Sequence, residues 1–261
     1  MTYYCGIDIG ASTAKLVVID GTGRIIGKAM GRSGIDYAKT AEALLTEVCA
    51  TAKLDRAQIL RSLSTGYGRD NVPWAHAKMT EIACHGKGAY FHFQKCITVI
   101  DIGAQDSKII HLDETGKRKG FKMNRKCAAG TGAFIEEIAH RLALDISELN
   151  ALAESSTKEV SLGSFCTVFA ATEVLEKIRA GVDVADIVRG AFNSVVKRIV
   201  EMDRIDGLLL ATGGVVAHNP FLAQLIGQSF STEAHVVPDA QYTGAFGAAL
   251  FAAEQAQERG V

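Results

Sequence analysis

The sequence predicts an α/β protein with two related halves, and an internal repeat is the main reason. Segments Cys5–Lys15 and Val99–Lys108 share the pattern D-I-G-A, three residues, then lysine, 93 positions apart. Apolar, strand-like residues flank the glycine in each copy, which is typical of a β-hairpin. Segments with helical spacing lie between and after the copies, and strands that alternate with helices indicate α/β architecture.

Each copy of the repeat predicts two strands and then a third short one. In the first copy the strands are expected at Tyr3–Ile9 and Leu16–Ile19, and in the second at Ile97–Ile102 and Ile109–Leu112. Each returning strand runs into a turn with aspartate and glycine. The sequence therefore predicts two similar βββ units.

Amphipathic helices are predicted where apolar residues recur at i, i+3, i+4 and i+7. One such helix covers residues 38–53, and another covers residues 183–202 with Asp183 as its N-cap. A further helix is expected to begin at His76.

The last third of the chain is predicted to contain a buried strand and a helix with small residues along one side. Gly207–Gly214 combines an apolar run with a double-glycine turn. From Thr243 onwards a helix is expected in which small residues line one side, where another backbone can approach closely: Gly244, Gly247, Ala248, Ala249, Ala252 and Ala253.

Composition and charge exclude several classes of protein. The chain has 261 residues, of which 48% are hydrophobic and 22% charged, and its net charge is −1. This balance argues against a nucleic-acid binder that depends on counterion release. No apolar run reaches the ~18 residues of a membrane span, and the first residues lack the pattern of a signal peptide. We expect a cytoplasmic protein without nucleic-acid or membrane partners.

The two glycine turns are predicted to bind the phosphates of a nucleotide. Backbone N–H groups in such turns can hold phosphate oxygens, and nearby hydroxyl and lysine side chains add donors. A single turn of this kind is usually only a hairpin, but two copies and a later double glycine favour a binding site. The predicted ATP-binding residues are Asp8, Gly10, Ala11, Ser12, Thr13, Lys15, Gly103, Ala104, Gln105, Lys108, Gly213, Gly214 and Gln241.

An acidic residue precedes the glycine in both turns, and this favours a divalent cation. Asp8 and Asp101 would repel phosphate on their own, whereas Mg²⁺ accepts a carboxylate together with phosphate oxygens and waters. We therefore expect both aspartates to flank one Mg²⁺–nucleotide, with contact to the ion through water. No P-loop pattern is present.

The order of these motifs resembles the actin, sugar-kinase and Hsp70 ATPase superfamily. That resemblance implies two actin-like (ribonuclease H-like) halves around a nucleotide cleft, the first formed by residues 1–94 and 244–261 and the second by residues 95–243. More narrowly, Met123–Gly132 and Cys166–Ala170 resemble the activators of 2-hydroxyacyl-CoA dehydratases and the ATPase subunits of benzoyl-CoA reductase. Thr65–Arg69 and Glu81–His85 fit the same family.

The six cysteines form no C-x-x-C pair, and small buried residues are their ordinary role. The resemblance implies that Cys127 and Cys166 instead ligate a [4Fe–4S] cluster shared by two subunits. A cluster needs four thiolates, so two-fold symmetry would complete the set. Both cysteines precede helical runs, whose N-termini stabilise thiolates. Four thiolates can also hold zinc.

The remaining cysteines and one histidine are expected to be structural. Cys5, Cys49, Cys84 and Cys96 match no ligand motif and are assigned to the core. His85 is expected at the surface or as a helix cap.

The resemblance implies an ATP-hydrolysing donor of single low-potential electrons in anaerobic metabolism. Its partner would be a benzoyl-CoA reductase or a 2-hydroxyacyl-CoA dehydratase, its electron source a ferredoxin or flavodoxin, and its assembly a homodimer or a heterodimer. Gln105 or Asp106, together with Asp101, is expected to serve hydrolysis by orienting water. Ala104, Arg125 and Ala171–Thr172 depart from the dehydratase-activator pattern, so both partners stay open.

Two rival functions share this fold. A small-molecule kinase would replace water with a substrate hydroxyl, and a nucleotide-gated protein-binding module would have no redox role. Both would leave Cys127 and Cys166 without a purpose.

Overall fold

The computed structural model describes residues 2–124, 127–163 and 166–258. The chain divides into two compact units. Unit 1 contains Met1–Lys95, Leu112–Arg118 and Tyr242–Val261, and unit 2 contains Cys96–His111 and Lys119–Gln241. Arg125, a predicted departure from the activator pattern, lies outside the described residues.

Two five-stranded sheets account for the strands. The first contains β1 (Tyr3–Ile9), β2 (Thr13–Asp20), β3 (Ile25–Arg32), β4 (Ile59–Thr65) and β5 (Ala77–Lys78). The second contains β6 (Ile97–Ile102), β7 (Ser107–Leu112), β8 (Arg118–Asn124), β9 (Leu208–Thr212) and β10 (Ala234–Val236).

The helices follow and separate these strands. They are α1 (Tyr37–Ala52), α2 (Glu81–Phe93), α3 (Gly132–Arg141), α4 (Leu149–Ser155), α5 (Thr167–Arg179), α6 (Val184–Val200), α7 (Gly214–His218), α8 (Pro220–Ser229) and α9 (Thr243–Glu258).

The two sheets have equivalent topology. Their strand orders are β3-β2-β1-β4-β5 and β8-β7-β6-β9-β10. In the first sheet β1 pairs antiparallel with β2 and parallel with β4; in the second β6 pairs parallel with β9. Both central strands, β1 and β6, are buried along their length. The predicted α/β fold with two related halves is confirmed.

The turn after the second strand of each repeat is also duplicated. The Thr22 hydroxyl donates to Asp20 at 2.6 Å, and the Thr115 hydroxyl donates to Asp113 at 2.7 Å. These hydrogen bonds favour the charged carboxylate and therefore lower the pKa of both aspartates below the usual value.

Two predicted helices form with the expected buried faces, and the predicted Asp183 cap is confirmed, whereas the Asp36 cap was not predicted. Asp36 accepts a hydrogen bond from the Lys39 amide at the start of α1, which buries Ala41, Leu44, Leu45 and Val48. Asp183 caps α6 by accepting from the Ala185 amide. Side-chain oxygens at these positions satisfy amides that have no partner inside the helix.

The helix predicted to begin at His76 is wrong by five residues. Ala77 and Lys78 pair instead with β4 as the edge strand β5, and α2 starts at Glu81 after the Thr80 cap. Pairing with β4 keeps residues 77–78 extended, and the Thr80 side chain then marks the start of the helix by accepting from the Ala83 amide.

Close backbone contacts fix α9 within unit 1. A Cβ atom on Gly6 of β1 would lie 2.0 Å from the Ala245 carbonyl oxygen, and one on Gly247 would lie 1.8 Å from the Cys84 carbonyl oxygen of α2. Neither position has room for a side chain. The predicted close approach at the small residues of this helix is therefore present.

Within the described ranges, none of the helices combines the length and the apolar character needed to cross a bilayer.

The contact at Gly247 gives a first prediction. Gly247→Ala should lower the free energy of unfolding by about 1–3 kcal/mol, because the new methyl group would overlap the Cys84 carbonyl. Helix propensity alone would favour alanine by about 1 kcal/mol. Urea unfolding followed by circular dichroism measures the change.

Gly21→Ala is the matched control, since a Cβ atom there meets no atom within 4 Å. It should change stability by about 0.5 kcal/mol or less. A Gly247→Ala variant as stable as the wild type would contradict the close contact.

Candidate functional site

Both D-I-G-A segments form the same tight turn. The Gly10 amide donates to the Thr13 carbonyl at 3.1 Å, and the Gly103 amide donates to the Asp106 carbonyl at 2.9 Å. A Cβ atom on either glycine would lie 2.8 Å from an oxygen of the same turn. A side chain at Gly10 would collide with the Thr13 carbonyl, and one at Gly103 would crowd both the carboxylate and the carbonyl of Asp106.

The first turn leaves its polar groups accessible. Ser12 is exposed and Thr13 is half-buried. The Lys15 ammonium donates to the Thr13 carbonyl at 3.3 Å and makes no other hydrogen bond or ion pair with a described residue. The Ser33 hydroxyl braces the turn through a 2.6 Å bond to the Gly10 carbonyl. Backbone, hydroxyl and ammonium donors are thus available to an anion.

The second turn has a different arrangement of charge. Its lysine, Lys108, is buried and donates to the Asp101 carboxylate at 3.0 Å and to the Asp106 carboxylate at 2.6 Å. Gln105 is exposed, and its side chain makes no hydrogen bond with the described residues. The Asp106 carboxylate is thus paired with Lys108, whereas the Gln105 side chain is accessible to solvent.

Asp8 of the first turn is enclosed by backbone on two sides. A Cβ atom on Gly66 would lie 2.3 Å from Asp8 Oδ1, and one on Gly244 would lie 2.7 Å from Asp8 Oδ2. Asp8 is only 8% exposed. Neither Gly66 nor Gly244 was among the predicted site residues.

The imidazole of His85 also faces this carboxylate, with Nε2 4.0 Å from Asp8 Oδ2. His85 is buried inside α2, so the expectation that it lies at the surface or caps a helix is wrong. The sequence signal that could have found it is its place in Glu81–His85, followed one turn later by the small residue Gly88.

The double glycine of unit 2 lies beside two other predicted residues. A Cβ atom on Gly213, whose φ is +98°, would lie 2.6 Å from Asp101 Oδ1, and one on Gly214 would lie 3.5 Å from the Gln241 side-chain nitrogen. The Gly213 amide donates to the Ala240 carbonyl at 3.1 Å. The fold of unit 2 thus brings Asp101, Gly213, Gly214 and Gln241 together.

The cysteines fall into three groups by exposure, with two buried, two half-buried and two exposed. Cys127 and Cys166 are exposed, whereas Cys5 and Cys84 are buried, as predicted for core residues. Burial raises the pKa of the Cys84 thiol to about 12 and also raises that of Cys5, so both thiols stay protonated. The prediction for Cys49 and Cys96 is correct only in part, because both are half-buried.

The two exposed cysteines lie close to helix starts in unit 2. Cys166 is the N-cap residue of α5, and Cys127 lies five residues before α3. The Asn124 side chain holds the segment between Cys127 and α3 by donating to the Cys127 and Ala129 carbonyls, at 3.2 and 2.9 Å.

Hydrogen bonds join this cysteine segment to the second glycine turn. The Gly132 amide donates to the Gly103 carbonyl at 2.9 Å, and the Ala133 amide donates to the Ala104 carbonyl at 2.8 Å. The Ser107 hydroxyl donates to the Gly130 carbonyl. The start of α3 is therefore hydrogen-bonded directly to the backbone of the turn.

Across residues 2–124, 127–163 and 166–258, no group of three or more histidine, cysteine, aspartate or glutamate side chains is placed to hold a metal ion. Two exposed thiols could supply at most half of the four thiolates that an iron–sulfur cluster needs.

Sequence comparison matches residues 5–252 to the BadF/BadG/BcrA/BcrD ATPase family. The (R)-2-hydroxyglutaryl-CoA dehydratase activating ATPase of Acidaminococcus fermentans is 37% identical over 97% of this chain and 98% of its own length. A benzoyl-CoA reductase subunit of Thauera aromatica is 29% identical over 97% of this chain and 94% of its own length.

Structural comparison agrees with the sequence match. The activator of the 2-hydroxyisocaproyl-CoA dehydratase from Clostridium difficile, solved with bound ADPNP, has a TM-score of 0.90 and 35% identity, covering 99% of this chain and 97% of that chain. A ROK family glucokinase from Streptomyces griseus has a TM-score of 0.56 and 16% identity over 97% of this chain and 99% of that chain, which shows the shared fold alone. The expected actin-like fold is confirmed.

The two lysines of the glycine turns should differ in their importance for stability. Lys108→Met should lower the free energy of unfolding by about 3–5 kcal/mol, because it leaves the buried Asp101 carboxylate without its ammonium partner. Lys15→Met, which loses only a bond to a carbonyl, should cost about 1 kcal/mol. Denaturant unfolding at pH 7 measures both, and equal losses would contradict the different charge arrangements.

Proposed function

We propose that this chain, which belongs to the BadF/BadG/BcrA/BcrD ATPase family, couples ATP hydrolysis to the delivery of single low-potential electrons. The recipient would be a partner enzyme that acts on a CoA thioester, since the relatives are dehydratase activators and a benzoyl-CoA reductase subunit. The observation that carries the proposal is the hydrogen-bonded connection between the second glycine turn and the segment with Cys127.

ATP binding is proposed for the two glycine turns and the double glycine. The open donors of Ser12, Thr13 and Lys15 suit phosphate oxygens. Asp8 and Asp101 would hold Mg²⁺ through water, because hard divalent cations prefer carboxylate, phosphate and water oxygens. The remaining predicted residues, whose backbone or side chains border these groups, are Gly10, Ala11, Gly103, Ala104, Gln105, Lys108, Gly213, Gly214 and Gln241.

Gln105 is the better candidate for orienting the hydrolytic water. Its exposed amide is not engaged by any described residue, whereas the Asp106 carboxylate accepts a bond from Lys108 at 2.6 Å. We assign Asp106 to holding Lys108 in place beside Asp101. An amide that positions water is a known arrangement in nucleotide hydrolases.

Cys127 and Cys166 are proposed to ligate a [4Fe–4S] cluster together with the same two residues of a second, identical or related, subunit. Their exposure fits ligands that must reach another chain, and Cys166 lies at the N-terminus of α5, where the helix dipole favours an anionic group such as the cluster. Such a cluster supplies a one-electron carrier. Zinc would fit the same thiolates, so metal analysis decides between the two.

Coupling between hydrolysis and the cysteine segment would run through α3. Gly103 and Ala104 accept the first two amide hydrogen bonds of that helix, so a change in the turn alters the position of residues 127–132. The environment of a ligand controls cluster potential and exposure. A ferredoxin or flavodoxin is the proposed electron source, and the cytoplasm the proposed location.

Cysteine substitutions test the cluster. Cys127→Ser and Cys166→Ser should reduce iron from about four atoms per dimer to near zero in protein purified without oxygen. Serine is a good N-cap residue, so Cys166→Ser should keep α5 folded. Iron, acid-labile sulfide and the visible spectrum are measured.

Cys49→Ser is the control and should retain iron, because Cys49 is a half-buried residue whose pKa is raised by burial. Colourless wild-type protein that hydrolyses ATP after attempted reconstitution would overturn the electron-transfer proposal. Full iron content in Cys127→Ser would overturn the ligand assignment.

The role of Gln105 has its own test. Gln105→Ala should lower kcat for ATP hydrolysis about 100-fold, because water is no longer oriented, while KM for ATP changes by about 2-fold or less. Steady-state phosphate release measures both, and Gln257→Ala, an exposed glutamine near the end of α9, is the control. An unchanged kcat would remove Gln105 from the reaction.

A further inference from the structure

The position of His85 is unusual for a histidine in the middle of a helix. It is only 7% exposed within α2, and its Nε2 atom is directed at the Asp8 carboxylate 4.0 Å away. Burying a polar ring costs free energy unless a charge or hydrogen bond compensates. At this distance the interaction with Asp8 is electrostatic, since a direct hydrogen bond needs about 3 Å.

Glycine occupies three positions at which a side chain would prevent this approach. On Gly244 of α9, a Cβ atom would lie 2.8 Å from His85 Nε2 and 2.7 Å from Asp8 Oδ2. Gly88, one turn after His85, lets α2 contact the Thr243 carbonyl, 2.4 Å from a Cβ position. A Cβ atom on Gly66 would lie 2.3 Å from the other carboxylate oxygen, Asp8 Oδ1. The imidazole and the carboxylate can therefore approach one another because the neighbouring positions are glycines and have no side chain.

The two repeats use different partners for the equivalent aspartate. In the second repeat, Lys108 from the neighbouring strand donates directly to Asp101. In the first repeat, Lys15 bonds instead to the Thr13 carbonyl, and the imidazole of α2 occupies the side of Asp8 that faces α9. A partner from another element can hold the carboxylate while Lys15 stays available to phosphate.

We infer that His85 is a positioning residue for Asp8, and that it sets the affinity of the nucleotide-bound protein for Mg²⁺. The inference rests on the proposed role of Asp8 as a Mg²⁺ ligand through water. His85 touches neither nucleotide nor ion in this role; it orients the carboxylate through Oδ2. Removing a group that orients a direct metal ligand typically costs 10–100-fold in metal affinity or activity, and we expect the lower end of that range because Asp8 would contact the ion through water.

The test compares Mg²⁺ binding in variants of the full-length protein. Calorimetry with saturating ADPNP gives the Kd for Mg²⁺, and nucleotide binding in EDTA gives the affinity without the ion. His85→Leu should raise the Kd for Mg²⁺ about 10-fold and change nucleotide affinity in EDTA about 2-fold or less. His85→Gln, whose amide nitrogen can take the place of Nε2, should restore Mg²⁺ affinity to within about 3-fold of wild type.

A second pair of variants keeps the test valid if leucine prevents folding. His85→Asn is polar like His85→Gln but too short to reach the Nε2 position, so it should bind Mg²⁺ as weakly as His85→Leu should. His111→Asn is the control: His111 of unit 2 is also largely buried and lies 3.3 Å from a carboxylate, that of Asp203. It should leave Mg²⁺ affinity unchanged.

Three outcomes separate the possibilities. Wild-type Mg²⁺ affinity in both His85→Asn and His85→Leu would overturn the positioning role. Equal weakening of nucleotide binding with and without Mg²⁺ would show a structural role and would also overturn it. Wild-type protein whose nucleotide binding does not respond to Mg²⁺ would overturn the proposed Mg²⁺ site itself.

Discussion

The backbone contact of α9 with β1 and α2 is the constraint on which the first glycine turn depends. Glycines stand where the elements meet, at Gly6, Gly244 and Gly247, and each would collide with neighbouring atoms if it carried a Cβ atom. Because the helix lies this close, the end of β1 with Asp8 and the middle of α2 with His85 reach one another. Packing of small residues thus creates the polar site, although none of those residues is polar.

The duplicated turns show how one backbone geometry can carry two charge arrangements. Gly10 and Gly103 close the same hydrogen bond to the third residue after them. The buried Lys108 joins two carboxylates in one repeat, whereas Lys15 in the other bonds only to a carbonyl. Removing one partner of such a buried ion pair leaves an uncompensated charge, whereas an ammonium without a carboxylate partner suits the binding of an anion. Repeats with one shared backbone shape can therefore carry different charge arrangements.

Exposure agrees with the motifs in setting Cys127 and Cys166 apart from the other cysteines. The thiols of Cys5 and Cys84 are protonated because burial disfavours the thiolate, and this suits packing rather than chemistry. Cys127 and Cys166 are open to solvent within one unit, and the segment of the first is bonded through α3 to the second glycine turn. These hydrogen bonds connect the second glycine turn of this ATPase to the segment that carries the exposed Cys127 thiol.

Patterns along the chain were enough to predict the repeat, the helix capped by Asp183 and both glycine turns, because periodicity, caps and turns depend on neighbouring residues. The proposed roles of the turn residues stay predictions. The Asp36 cap was found only in the structure. The pairing of Lys108 is also local, since Asp101 and Asp106 lie seven and two residues away and the first repeat has Thr13 in place of Asp106. Tertiary packing was needed to reveal the edge strand Ala77–Lys78 and the contact of His85 with Asp8. These two features depend on segments that meet in space, and local propensity carries no information about a contact made 77 residues away along the chain.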